Sequence, residues 1–407
     1  MGYYFFGLVV LRSRGGLAQK NMVAGYGYGN DLYPIWLTTR DLLAHKTDPY
    51  TTAMEHRIET GLYGRPLDRS NSADATINYR GFSYPLYTDI LAAPLALLSF
   101  RGVQILFSVV LPVMVGLGVA CNCAALGLNL SRVAMAGLVL VTLFSCQVLA
   151  GVYALQPTLI VATLIAAALA ALRHDKFVLA GVLLALSSVK PHLIVLPMLW
   201  LLLWTVTDWA RRKRLLVTFV VVVGILLLIS EVWLPRWWIG WVRALPAYRQ
   251  YTMPPLSELL LGRAFGRKLT LALLGLGLGA AVRWRRAPAD SRCFFLLFAF
   301  LLAITVGAIS SSTAVYDQIL LLPGALWLWF DRHAILRASR PIRIVAYLVC
   351  LTFVWQWFFA PALAVASLFL SWTHYPPALM FPLIMTGSFP LGLMSLLHRW
   401  QSWPATP

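Results

Sequence analysis

Apolar residues are gathered along this chain into long runs that short polar stretches separate. About 20 apolar residues in a helix span a hydrocarbon core of roughly 30 Å. Lipid offers no hydrogen-bond partners to the backbone, so the backbone groups must bond to each other, as they do in a helix. With an incomplete run in the first ten or so residues, the pattern predicts an all-α, polytopic transmembrane helical bundle of about 12 spans. The other runs cover 83–100, 102–127, 131–153, 156–172, 177–209, 215–234, 269–284, 293–309, 319–330, 344–370 and 375–397.

Segment 177–209 is open to two interpretations, because its 33 residues would make a helix of about 50 Å. Lys190-Pro191 interrupts it. As one kinked crossing, the segment places loop 12–82 outside the cell and puts residues 173–176 outside as well. As a hairpin, it places loop 12–82 inside. The kinked crossing is the interpretation that we favour.

Composition and charge agree with a membrane protein. Only 12% of residues are charged and the mean hydropathy is +0.75, against a charged share of about 25% in soluble domains. The net charge of +18 does not indicate nucleic acid, because much of it lies in short loops between apolar runs. The five cysteines all lie inside apolar runs, where we expect packing rather than disulfides or metal ligation.

Basic clusters predict the orientation. They recur two spans apart at 211–214, 283–292, 332–343 and Arg399, which places them together on the cytoplasmic face. The opposite face then receives segments 235–268, 310–318 and 371–375. Their aromatic residues are typical of a membrane interface, and include Trp237, Trp238, Trp241, Tyr248, Tyr251, Trp372 and Tyr375.

We therefore expect a single integral membrane domain over 1–407. Its predicted parts are a first extracytoplasmic loop (12–82), a core transmembrane module (83–234), a second large external loop (235–268) and C-terminal transmembrane helices (269–397). Ten apolar residues are too few to span, so the first helix is either shortened or begins upstream of the sequence; we expect the second.

Loop 12–82 holds nine Lys or Arg and seven Asp or Glu, nearly half of all the acids. After Asn30-Asp31, Leu32, Ile35, Trp36, Thr39, Leu42 and Leu43 recur at helical spacing. The spacing predicts an amphipathic helix on the membrane surface, with Arg40, Asp41 and Lys46 facing water. Asp48-Pro49-Tyr50 is typical of a turn that ends such a helix, because proline keeps its predecessor out of helical geometry.

Asp31 lies where a membrane helix would emerge and the surface helix would begin. One interpretation is a helix cap, with Pro34 tolerated in the first turn. The other is a carboxylate that faces a cavity and accepts a proton from a substrate hydroxyl. Asp89 competes for such a role, because it lies about five residues inside an apolar run, where a charge needs a partner or a wet cavity.

Further polar residues interrupt apolar runs. Lys190 and His192 lie within one, and the lysine either extends to the interface or binds an anionic group such as a lipid phosphate. Asp317, beside Tyr316, could equally be a helix cap. Tyr84-Pro85 opens a run as a boundary device would, and Gln156 lies in a break between two runs.

In their order, these residues resemble those of the polyprenyl-phosphate-dependent glycosyltransferases of the C-type membrane fold, and most closely glycosyltransferase family 87. The similarity extends over about 300 residues, although "LQP" stands where the family usually has "GQ" and a polar residue. The matching positions are Asp31, Asp48-Pro49-Tyr50, Tyr84-Pro85, Gln156, Gly181 with Lys190-Pro191, and Tyr316-Asp317 with Pro323.

The resemblance implies an inverting transferase. A polyprenyl-phosphate sugar, mannose or another hexose or pentose, is the expected donor, and an extracytoplasmic glycan or glycolipid hydroxyl the acceptor. Asp31 would be the general base, and Lys190 and His192 would meet the donor phosphate. We expect a bacterial inner membrane location, with membrane lipid around the chain and no cofactor, metal or nucleic acid. The expected substrate-binding residues are Tyr33, Trp36, Tyr84, Asp89, Gln156, Tyr316 and Asp317.

Two other functions remain open at this point. A lipid or glycan transporter or flippase would usually show internal hydropathy repeats, which are not evident here. A non-catalytic membrane subunit of a glycan export system would retain partial function without Asp31.

Overall fold

A computed structural model describes residues 2–10, 27–71, 74, 77, 81–337 and 339–369. Within these residues the chain is helical, with one isolated bridge between Pro255 and Ser311. The α-helices are α1 Tyr33–His45, α2 Thr52–Tyr63, α3 Tyr87–Leu91, α4 Phe100–Leu126, α5 Arg132–Leu143, α6 Cys146–Ala154, α7 Thr158–Arg173, α8 Phe177–Ser187, α9 Pro191–Val206, α10 Trp209–Trp233, α11 Trp237–Tyr251, α12 Leu256–Arg283, α13 Arg292–Ile304, α14 Leu322–Phe330, α15 Arg332–Arg337 and α16 Arg340–Ala366. Tighter or wider helical turns cover Tyr3–Val10, Ala93–Leu97, Thr305–Ile309 and Val315–Leu321.

Helix α4 shows that the bundle has two chemically different ends. At its start, Phe100 packs against Tyr33, with 5.1 Å between the ring centres. Near its end, the Ala125 carbonyl accepts a hydrogen bond from Arg173, whose side chain also donates to the Asp290 carbonyl. The 27 residues of α4 separate these ends by about 40 Å. We refer to the end with 173–176, 207–214 and 283–292 as the basic end, and to the end with residues 27–71 and 81–86 as the loop end.

The interpretation of 177–209 as one kinked crossing is wrong. The first ring of α8, Phe177, lies 6.2 Å from Trp204 near the end of α9, and Asp175 forms a 2.5 Å ion pair with Arg211. Helices α8 and α9 are therefore a hairpin with both ends at the basic end, and residues 173–176 lie there too. The hairpin turns because Pro191 begins α9 and excludes Lys190 from helical geometry (φ −122°, ψ 78°).

The predicted span 83–100 is also absent as a helix. Only α3, of five residues, and the tight turn Ala93–Leu97 form there. The segment stays at the loop end, where the Trp36 indole donates to the Leu98 carbonyl and the Trp241 indole to the Ser83 carbonyl. Pro94 lies at the start of the tight turn, and Ser99 caps a new helix through a hydrogen bond from the Gly102 amide.

These two differences together leave the side of the membrane on which loop 12–82 lies unchanged relative to residues 211–214. One predicted crossing disappears at 83–100, and another disappears because the hairpin returns to its own side. The described part of loop 12–82 therefore lies opposite residues 211–214, as expected. Whether the loop end faces the cell exterior stays a prediction.

The membrane-spanning, all-helical character is confirmed, but the predicted count of about 12 spans is not found. Five described helices are long and apolar enough to cross, or six if the pair α5 and α6, bent by 64°, makes one span. Four further apolar segments have only 10–17 residues. The C-type fold stays a prediction, and the predicted span 375–397, segment 371–375 and Arg399 lie outside the described residues.

The predicted surface helix is present as α1. Ile35 and Leu42 are buried on its inner face, and Arg40 is exposed as expected. Asp41 does not face water: it is buried and forms an ion pair with Arg57 of α2. Asp41 is buried because α2, a second loop helix that the pattern did not predict, covers this side of α1.

Candidate active site

Asp31 is attached to the break between α6 and α7. Its backbone amide donates to the Ala154 carbonyl (3.2 Å), and its carboxylate accepts a 2.8 Å hydrogen bond from the Gln156 side chain, 125 positions away. Helix α1 begins only at Tyr33, and its N-cap residue Leu32 makes no side-chain capping bond. The carboxylate is half-buried and makes a tertiary contact of a kind that a helix cap does not need.

Gln156 links Asp31 to Tyr84. Its amide oxygen accepts a 3.4 Å hydrogen bond from the Tyr84 hydroxyl while its nitrogen holds the Asp31 carboxylate. Leu155, which precedes it, has a left-handed backbone (φ 51°) that ends α6. The helix break therefore directs a buried amide between two side chains that come from the loop.

Lys190, at the tip of the α8–α9 hairpin, is buried and has partners within the protein. Its ammonium donates to the Thr158 hydroxyl (2.6 Å), which in turn donates to Asp317 (2.7 Å). The ammonium lies 3.6 Å from the Asp317 carboxylate and 5.0 Å from the centre of the Tyr316 ring. With 6% of its surface exposed, Lys190 does not extend to an interface, so that interpretation is wrong.

His192 approaches Asp317 from the other side. Its Nε2 lies 3.9 Å from Asp317 Oδ2, and 41% of its side chain is exposed, whereas that of Asp317 is 2% exposed. Asp317 thus lies between a buried lysine and an accessible histidine, and a capping role does not account for these contacts. The charges of Lys190 and Asp31 also interact.

The Lys190 ammonium also lies 6.0 Å from the centre of the Tyr84 ring, so seven predicted residues lie together at the loop end. We refer to Asp31, Tyr84, Gln156, Lys190, His192, Tyr316 and Asp317, with Thr158, as the polar cluster. Sequence reasoning missed Thr158, although the signal was a hydroxyl directly after the Gln156-Pro157 break.

Tyr33 and Trp36 of α1 pack against the start of α4. The Tyr33 ring packs against Trp36 and Phe100, with centres 5.8 and 5.1 Å away, and both residues are buried in the core. These contacts fix α1 on the start of α4. Their predicted role in substrate binding stays a prediction.

Asp89 lies in an environment of its own, 1% exposed. One carboxylate oxygen accepts from the Thr38 and Thr39 hydroxyls at 3.0 and 3.1 Å. Among the described residues, nothing donates to its other oxygen. Burial, with the nearby charges of Asp89 and Asp48, raises the pKa of the Tyr50 phenol. Asp89 thus binds helix α3 to α1, and its predicted contact with substrate stays a prediction.

Comparison with known proteins identifies the family. The family model of glycosyltransferase family 87 matches residues 82–312, more than half of the 407-residue chain. The matched part includes Tyr84, Gln156, Lys190 and His192, while Asp31 precedes it and Asp317 follows it. No curated protein and no solved structure gives a match. The chain is a membrane protein, and it belongs to glycosyltransferase family 87.

Proposed function

We propose that this glycosyltransferase moves a hexose or pentose from a polyprenyl-phosphate donor to a hydroxyl of an extracytoplasmic glycan or glycolipid, with inversion. The observation that carries the proposal is the polar cluster, which contains the half-buried Asp31 carboxylate and the Lys190 and His192 side chains. A base for the acceptor and cations for a phosphate are the two functions that such a transfer needs.

Asp31 is the best candidate for the general base among the loop acids. The attacking hydroxyl must lose its proton as the new glycosidic bond forms, and a carboxylate about 3 Å away can accept it. Gln156 orients the Asp31 carboxylate, which remains partly exposed. By contrast, Asp41 is paired with Arg57, Asp48 accepts a bond from the Tyr50 amide in a turn, and Asp89 is enclosed.

The donor phosphate would meet His192 and Lys190. The departing polyprenyl phosphate carries the charge released when the bond to the sugar breaks, and fixed cations stabilise that charge. A buried lysine needs an anionic partner, but Asp317 already supplies one 3.6 Å away. The phosphate must therefore share Lys190 with Asp317, and the accessible His192 is the first group that it would reach.

A donor assay tests this proposal. The purified full chain in nanodiscs would be supplied with polyprenyl-phosphate hexoses, polyprenyl-phosphate pentoses and nucleotide-diphosphate sugars, together with an extract of envelope glycolipids as acceptors. We expect transfer from one polyprenyl-phosphate sugar only, and a product of opposite anomeric configuration by NMR. Transfer from a nucleotide sugar alone, or with retention, would contradict the proposal.

A further inference from the structure

The loop end carries basic residues where membrane proteins usually have few. Segment 235–268 contains six Lys or Arg and one acid, Glu258, although it lies opposite the basic end. Basic residues are normally concentrated on one side of a membrane protein, so a second cluster on the opposite side needs its own reason. The six are Arg236, Arg243, Arg249, Arg263, Arg267 and Lys268.

The segment, predicted as the second large external loop, is helical. Helix α11 covers its first part, and the chain then reverses within the first turns of α12. Gly262 has a left-handed backbone (φ 75°), and the hydroxyls of Ser257 and Thr270, 13 positions apart, lie 3.0 Å from each other. In a straight helix they would be about 20 Å apart. Residues 256–261 therefore fold back on the helix that continues to Arg283.

The length of that helix gives the depth of the reversal. The 21 residues from 263 to 283 rise about 31 Å, which matches the hydrocarbon thickness of a bilayer. Their far end is at the basic end, where the Arg285 carbonyl accepts from Thr207. The reversal at Gly262 thus lies at the level of the opposite membrane interface.

Exposed apolar and basic side chains alternate at this level. Around the reversal, Leu260, Leu261 and Phe265 are 50%, 49% and 68% exposed, and Arg263 and Lys268 are exposed beside them. On α11, the exposed Trp238 and Val242 accompany the exposed Arg243 and Arg249. Apolar side chains that enter lipid, with basic groups at headgroup level, are the features of a membrane-surface helix.

Helix α11 also reaches the polar cluster. Its Trp241 indole donates to the Ser83 carbonyl, next to Tyr84. A ligand on the outer face of α11 would therefore lie one helix away from the candidate active site.

We infer that α11 and the Gly262 reversal form a docking surface for anionic phospholipid headgroups of the leaflet at the loop end. Guanidinium groups bind phosphate through paired hydrogen bonds, and each basic residue near an anionic membrane contributes about fivefold to binding. The surface enriches anionic lipid beside the site, and its existence does not depend on which sugar is transferred.

Photo-crosslinking of the full chain tests the inference. Nanodiscs of zwitterionic lipid would contain a small fraction of photoactivatable phosphatidylglycerol or, in a parallel sample, photoactivatable phosphatidylcholine. Crosslinked peptides from 235–268 would be quantified by mass spectrometry. We expect several-fold more crosslinking to phosphatidylglycerol than to phosphatidylcholine in this segment.

Matched variants complete the test. The triple change Arg243→Gln, Arg249→Gln and Arg263→Gln should lower phosphatidylglycerol crosslinking in 235–268 at least fivefold. The same number of changes at exposed residues on the other side, Arg286→Gln, Arg337→Gln and Arg340→Gln, should leave it unchanged. The last two follow Asp331, which pairs with Arg292 at the basic end. Equal crosslinking of the two lipids, or no loss in the first triple variant, would overturn the inference. Thermal unfolding of both variants establishes that they are folded.

Discussion

The two ends of the bundle each contain an ion pair, which is exposed to solvent at the basic end and buried at the loop end. At the basic end, Arg211 and Asp175 form an ion pair at 2.5 Å, and both side chains are more than half exposed. At the loop end, Lys190 and Asp317 lie 3.6 Å apart, and both are less than a tenth exposed. An exposed pair contributes about 0–1 kcal/mol to stability, whereas breaking a buried pair costs about 3–5 kcal/mol. The Arg211–Asp175 pair therefore leaves stability almost unchanged, while the polar cluster is held in a geometry that burial makes hard to change.

The polar cluster is built from separate parts of the chain, because several helices end or break near it. Each contributing segment ends or breaks at the same level: α6 ends at Ala154, the α8–α9 hairpin turns at Lys190, and a tight turn begins at Val315. The breaks bring polar side chains of different segments next to one another, and these side chains bond to each other.

The largest expected difference between the two ends is the side of the membrane from which each can be labelled. Single cysteines replacing Ser70 and His174, both exposed, would be placed in a chain without its five native cysteines. We expect a membrane-impermeant maleimide to label Ser70→Cys from outside intact cells and His174→Cys only after permeabilisation. Labelling of both from the same side would refute the hairpin, because a single crossing puts residues 173–176 on the side of the loop.

Asp31→Asn should have the largest effect on activity. The amide keeps the shape of the side chain and can still accept from Gln156, but it cannot take a proton. We expect turnover to fall about 10²–10⁴-fold, with folding and donor binding retained. Asp89→Asn is the matched control and should keep most of its turnover per folded molecule. If Asp31→Asn turns over at a near-normal rate, its carboxylate is structural.

Changes in the Lys190–Asp317 pair separate stability from donor binding. Lys190→Met leaves a buried carboxylate without its lysine, so thermal unfolding should show a loss of about 3–5 kcal/mol. Adding Asp317→Asn removes both charges and should restore much of that stability. If Lys190 binds the donor phosphate, donor affinity stays low in the double variant. Recovery of affinity together with stability would leave Lys190 a purely structural role.

Thr158→Val should have a moderate effect. The hydroxyl accepts from Lys190 and donates to Asp317, so its removal leaves both groups short of a partner, at a cost of about 1–3 kcal/mol. Thr205→Val provides the control, because Thr205 is equally buried and its hydroxyl makes no hydrogen bond among the described residues. Comparable unfolding temperatures for the two variants would show that the bridge contributes nothing.

Arg211→Gln should have the smallest effect. It removes the exposed pair with Asp175, and we expect a loss of stability below about 1 kcal/mol that disappears at high salt. Activity should be unchanged. A loss as large as that of Lys190→Met would mean that the two ends are not energetically different after all.

Much of the cluster was predictable because membrane burial makes polar residues rare and therefore informative. Gln156, Lys190 and Asp317 each interrupt an apolar run, and a buried polar group needs a partner. The partners themselves were not predictable. That Lys190 meets Thr158 and Asp317, 32 and 127 positions away by residue number, depends on how three segments pack.

The wrong predictions have the same cause: hydropathy along the chain does not report which segments pack together. An apolar segment such as 177–209 has equal hydropathy whether it crosses once or returns, and 83–100 reads as a span although Pro94 and Ser99 divide it. Asp41 looked solvent-facing because α1 is amphipathic, but helix α2 covers that side. Helix periodicity reports one face of one helix, and does not report what packs against the other.

By itself, the sequence determined that the protein lies in a lipid bilayer, because its apolar runs require lipid. Its basic clusters identify one end of the bundle, and its rare polar residues include most of the candidate site. These properties follow from transfer free energies, which are local to each residue and can be read one run at a time. Tertiary structure alone decided that 177–209 turns back, that Asp317 lies beside Lys190, and that Asp89 stands apart from Asp31. Those outcomes depend on contacts between distant segments, whose free energies exist only once the segments are packed.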